Sequence, residues 1–105
     1  MEENLLNIRN MIKKAISEKR LVKFVCEGLE IIGEPQVYGL KKGNAHLLVY
    51  QTGGQSNNRK PFPKWFDAAT EDISDFVILD KQFRGRRRMV SLIFKNFNRV
   101  LVMVT

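Results

Sequence analysis

The apolar period of this chain changes once, at Lys19-Arg20. Before that point Leu5, Ile8, Met11, Ile12, Ala15 and Ile16 recur at spacings of three and four, with Arg9, Lys13, Lys14 and Glu18 opposite and Asn4 placed to cap. The spacing predicts one amphipathic helix over 4–19, whose apolar stripe must dock on another element. After it the period is two: Val22, Phe24 and Cys26 alternate with Leu21, Lys23, Val25 and Glu27, and Gly28 supplies a turn. A chain that opens on one helix and continues in short alternating runs is restricted to a helix packed on an antiparallel sheet.

A second extended run covers 30–40. Pro35 has no N–H for a ladder and Gly33 has no side chain, so this strand is expected to be bent, bulged or at an edge. Lys41-Lys42-Gly43-Asn44 reads as a hairpin turn, because Gly and Asn tolerate positive φ. The run 45–52 is the most apolar and is the candidate for the centre of the sheet. Residues 53–64, rich in Gly, Ser, Asn, Pro and Lys, form a long connection of the kind that is often functional. Trp65 and Phe66 restart order, and 76–79 reads as a further strand. The fold class expected is α+β, mainly β: an N-terminal helix followed by a small Sm/SH3-like antiparallel β-barrel of about five strands. At 105 residues and 44% apolar content one core suffices. The division expected is 1–83, helix plus barrel, and 84–105, a basic apolar tail. In the tail Val90, Ile93, Phe94, Phe97, Leu101 and Val104 keep helical spacing, which predicts a helix over 89–98. The β-branched end, 100–105, allows a strand instead.

The tail also holds the whole net charge. Residues 81–105 carry seven basic side chains and no acid, whereas residues 1–80 balance eleven against eleven, giving +7. A one-sign patch attracts phosphates or acidic surfaces, which makes Arg84, Arg86, Arg87 and Arg88 candidate contacts to nucleic acid or another anion. Two other readings stay open. The arginines can snorkel around an apolar terminal helix as solvated charges, or the tail can lie on an anionic membrane surface or a partner chain.

The second candidate site is the long connection and its flanks. Gly53-Gly54 allows consecutive N–H groups to converge on an anion, with Gln51 at its start and the Thr52 and Ser56 hydroxyls as further donors. Arg59, Lys60 and Lys64 lie in the same stretch and can reach a phosphate. Trp65 adds an aromatic beside cations, the ingredients of base stacking. The plainer alternatives are a solvated glycine turn and a tryptophan that closes the barrel rim. Tyr38 and Tyr50 read as packing residues.

Catalytic and metal chemistry find little support. Cys26 is the only cysteine and sits in an apolar alternation, which reads as a small buried hydrophobe. His46 is the only histidine and has no ligand partners at metal spacing, so no metal or cofactor is expected. Glu71-Asp72 reads as a turn or short helical cap, and Glu34 before Pro35 as a cap or ion-pair partner at a bend. No nucleophile–base pair or P-loop is visible, so no catalytic residue is assigned and a non-enzymatic role is expected. The acidic start lacks the order of a secretory signal, and no run is long enough to span a bilayer, so a cytoplasmic location is expected.

The order helix, Ala15-Ile16, Val22-Lys23-Phe24, Gly33-Glu34-Pro35, Gly43 and an apolar strand resembles the WYL domain family. It is similar above all to short stand-alone members, which carry a segment like Tyr50-Gln51-Thr52-Gly53-Gly54-Gln55-Ser56 followed by Trp65 and Phe66. The resemblance covers about residues 5–83. It implies an Sm-like, SH3-type barrel that senses a ligand, in some cases single-stranded nucleic acid, within bacterial transcription regulation. Sm-like barrels also favour oligomers through edge-strand pairing, and the apolar tail is itself a candidate dimer element. Aligned on Gly43, the Trp-Tyr-Leu signature falls on Ala45-His46-Leu47, and Ile31 and Asp72 stand where the family commonly has cations. The ligand contacts expected here are those of the 51–64 loop, with Trp65 following it. The apolar end departs from the polar ends of such relatives, and a shifted reading frame near residue 85 is one account of it.

Overall fold

The structure is a computed structural model that describes residues 2–56, 61–88, 90 and 96–105, with the side chains of 2–5 left aside. Helix α1 (Glu2–Glu18) buries Ile12, Ala15 and Ile16, with Ile8 and Met11 packed alongside, so the apolar stripe docks on the sheet as its spacing requires. Lys19, at φ 54°, turns the chain directly into β1 (Arg20–Cys26). β2 (Leu29–Lys41), β3 (Asn44–Gly54) and β4 (Lys64–Ala69) follow, then a 3-10 turn (Thr70–Asp72), β5 (Ile73–Gln82) and β6 (Arg99–Met103). Glu27-Gly28 and Lys42-Gly43 both have positive φ at their two positions, the geometry that joins twisted antiparallel strands by two residues.

All pairings are antiparallel, in the order β4-β3-β2-β1-β5, with β6 also beside β2. The architecture is thus one helix on a six-stranded, mainly β sheet. β4 and β5 are its end strands, and among the described residues no pairing between them closes it into a barrel.

The centre of the sheet is β2, not the more apolar 45–52 run. Its thirteen residues are long enough to pair with β1 over Leu29–Gly33 and with β6 over Val37–Leu40, while β3 runs along the other edge. On that edge Pro35 falls in the gap between the two partners, while on the other it stands opposite Val49 of β3. The register against β3 shifts between Pro35 and Val37, leaving Gln36 as the extra residue of a bulge.

Alternation separates two apolar clusters. Tyr38, Leu47 and Val49 join α1, Val22, Phe24 and Phe76 in the main core, where Phe24 and Phe76 stack at 5.8 Å. Val37 and Leu48 are one residue out of phase and meet Val90 on the other face, flanked by Trp65, Phe97, Val100 and Met103. Most of the expected 89–98 helix (89 and 91–95) lies outside the described residues. The chain from Arg99 to Met103 is a strand, and Val90 and Val104 are buried against the chain's own sheet. No helix among the described residues is long and apolar enough to cross a membrane.

Candidate anion-binding site

The β2 bulge holds a carboxylate that is almost fully enclosed. Glu34 is 5% exposed. Gly33 lets β3 come close beside it, since a Cβ there would lie 2.6 Å from Val49 Cγ1 and 2.9 Å from Gln51 Cα. A buried charge is costly unless it is paired and hydrogen-bonded. Arg87, 53 residues further on, meets that demand: its Nε donates to Glu34 Oε1 at 2.8 Å and its Nη2 to Oε2 at 2.6 Å. This forked, charge-assisted contact fixes direction as well as distance. It also pushes the guanidinium further up from its already high pKa.

Gln36, fully buried, fixes the backbone of the same segment. Its Oε1 accepts the Arg87 N–H at 2.9 Å and its Nε2 donates to the Gly85 carbonyl at 3.2 Å, so the side chain replaces a strand partner. The end of the chain returns to the same bulge: the Val104 N–H donates to the Gln36 carbonyl at 2.9 Å, and Arg86 Nε donates to the Val104 carbonyl at 3.2 Å.

Held this way, the Arg87 guanidinium lies 4.5 Å from the centroid of the Tyr50 ring, a cation–π contact. Tyr50 follows Leu48 on the face away from the helix and is paired with Trp65 of β4, their rings edge to face at 5.0 Å. Tyr50, Pro63, Lys64, Trp65, Arg87 and Arg88 line a cleft of about 350 Å³. Lys64 Nζ sits over the Phe62 ring at 5.7 Å and donates to the Ser56 hydroxyl. The cleft thus combines two aromatic rings with three cations, of which Arg87 is held by a forked carboxylate contact.

The two sequence candidates therefore meet in part. Lys64 and Trp65 from the connection and Arg87 and Arg88 from the tail share the cleft. Arg84 is exposed and is not among its lining residues, and Arg86 is tied to the Val104 carbonyl. Arg59 and Lys60 lie outside the described residues.

The register places the glycines of the expected nest in a strand. Gly53 and Gly54 pair with Ile32 and Ile31 in the β2–β3 ladder, and Thr52 is the exposed bulge residue between Gln51 and Gly53. Gly54, at φ 89°, brings the chain against the Glu30 carbonyl, where any Cβ would collide. Gln51 is buried, with its Nε2 donating to the Gly53 and Gln55 carbonyls at 3.0 and 2.8 Å. These residues shape the end of β3. The Ser56 hydroxyl accepts from Lys64 of the cleft.

Tyr50, Glu34 and Gln36 are the site residues that sequence reasoning underrated. The readable signal was Glu34 itself: a carboxylate between Gly33 and Pro35, in a run that continues to Val37 and Tyr38, needs a cation from elsewhere. His46 is at the strand surface, its Nδ1 2.8 Å from Asp67 Oδ1, and is not among the residues that line the cleft.

Compared with known proteins, the chain matches no family model, no curated protein and no solved structure.

Proposed function

We propose that this protein is a non-enzymatic binding or sensing module of WYL type for an anionic ligand, with single-stranded nucleic acid as the form the cleft fits best. The observation that carries the reading is the Tyr50–Trp65–Arg87 arrangement, two aromatic rings and a fixed guanidinium in one cleft with Lys64 and Arg88. An unpaired nucleotide presents a flat ring and a phosphate within reach of each other, and a strand repeats that pair. Duplex DNA hides the ring in its stack, so the cleft favours single strands. The acid-free final segment supplies the longer-range attraction.

The finer fold reading rests on similar grounds. One leading helix, the order β4-β3-β2-β1-β5, a bulged central strand and a 3-10 turn between β4 and β5 support a small Sm/SH3-like barrel. A role in bacterial transcription regulation follows from the same resemblance. The end strands β4 and β5 are the surfaces through which a second copy would pair.

The test is fluorescence anisotropy with a labelled oligo-dT of about ten nucleotides, at several salt concentrations. Affinity is expected to fall with salt at a slope of about 0.7 per phosphate contacted. Trp65→Ala is expected to weaken binding about tenfold, in line with the ~1–3 kcal/mol of one stacked base. Equal affinity for duplex and single strand, or no effect of Trp65→Ala, would refute the reading.

A further inference from the structure

We infer that Glu34 and Gln36 are positioning residues, which set Arg87 as a preformed receptor for the negative group of the ligand; this rests on the cleft being the binding site. Three contacts hold Arg87 before any ligand arrives. Glu34 takes the Nε and Nη2 side of the fork, Gln36 takes the backbone N–H, and Tyr50 covers one face of the guanidinium. Nη1 takes no part in the bonds to Glu34, so the Nη1–Nη2 edge and the second face remain for the cleft that Arg87 lines. The asymmetry of burial agrees: the Glu34 side chain is 7% exposed and that of Arg87 is 45% exposed, so the acid lies beneath and the base opens outward.

The device differs from an ordinary surface arginine in what is lost on binding. A free arginine gives up its rotamer freedom when it is fixed on a ligand. Arg87 has given up much of it on folding, so binding immobilises less. Glu34 keeps this advantage although its charge opposes that of an anion. Its enclosure and its full engagement by Arg87 limit the opposition.

Positioning and simple electrostatics therefore give opposite signs for one substitution. Glu34→Gln removes a negative charge from the site. If charge alone governed binding, the labelled oligo-dT would bind this variant more tightly than wild type. With positioning, affinity falls at least threefold, because the neutral amide releases the fork. Arg87→Lys keeps the charge and loses the fork, and the same loss is expected from it. In an Arg87→Lys background, Glu34→Gln is expected to add nothing further.

A readout without ligand accompanies these. In the ¹H–¹⁵N spectrum of the full chain the Arg87 Nε–H is expected as a distinct, slowly exchanging signal that disappears in Glu34→Gln. An Arg87 Nε–H exchanging as fast as that of exposed Arg84 overturns the inference whether or not an oligonucleotide binds. Failure of the wild type to bind oligo-dT overturns the proposed function. Wild-type binding with unchanged or tighter binding by Glu34→Gln and Arg87→Lys overturns the positioning role alone. Should Glu34→Gln not fold, Arg87→Lys, at a more exposed position, decides by the same threefold criterion.

Discussion

Replacing Gln36 by Leu removes the side chain that ties the basic segment to the sheet while nearly conserving its volume. Gln36 is fully enclosed, and its carboxamide serves the Gly85 carbonyl, the Arg87 N–H and, at 3.4 Å, Glu34 Oε1. Leucine fills the space and satisfies none of them. Gly85 is buried, so its carbonyl is left without water, at a cost of about 1–3 kcal/mol. Arg87 is exposed enough for water to reach its N–H, so that loss is smaller, near the ~1 kcal/mol of an ordinary hydrogen bond. Together the substitution is expected to destabilise the fold by about 2–4 kcal/mol, or roughly 10–20 °C in melting temperature for a domain of this size. Thermal unfolding followed by circular dichroism measures it, with Thr52→Ala, at an exposed bulge position, as a control expected to stay within about 0.5 kcal/mol. A Gln36→Leu protein as stable as the control would show that segment 85–87 is not held by this side chain, and the account of the cleft would fail with it.

Two further outcomes follow from other parts of the molecule. Gly39→Ala places a Cβ into the Arg99 carbonyl, 2.8 Å from Phe97 Cδ2 and 3.1 Å from Val100 Cα, so β6 must retreat. A destabilisation of about 1–3 kcal/mol is expected, with hydrogen exchange accelerated in 99–103 more than in β1; uniform acceleration would contradict it. Burial pushes the Cys26 thiol from an ordinary value of 9.0 up to about 11, with the Glu27 charge adding to it. The folded state thus keeps a proton that the unfolded chain releases first. Stability from this source is complete below pH ~9 and is lost as pH rises through about 11. Urea titrations across that window should show a steeper alkaline decline for wild type than for Cys26→Ala, and parallel declines would refute it.

Much of the sheet is legible in the residues, because its hairpins are local. The change of period at Lys19-Arg20, the glycines at 28 and 43 and the aromatic restart at Trp65 set strand limits close to those observed. Rank within the sheet is less legible. The apolarity of Leu47, Leu48 and Val49 suggests a central strand, yet centrality went to the strand long enough to take partners on both edges, with Pro35 set in a gap between two of them. The spacing around Val90 and Phe97 reads as a helix over 89–98, while the β-branched end from 100 allows a strand. Pairing with Val37–Leu40 decides for a strand from Arg99, and a pairing across some sixty residues has no local signature. The site divides the same way. Lys64 and Trp65 are visible as neighbours in the chain, whereas the Glu34–Arg87 fork exists only because the tail folds back onto the β2 bulge. An acid buried by its neighbours and a run of cations without acids are each readable, but their meeting is a property of the tertiary fold.

The most direct measurement uses the chain's only tryptophan. Trp65 sits in the cleft beside Tyr50, so titrating unlabelled oligo-dT into the protein at low salt should change its emission saturably, and added salt should reverse the change. Emission that stays constant while an independent probe reports binding would place the ligand elsewhere and contradict the account.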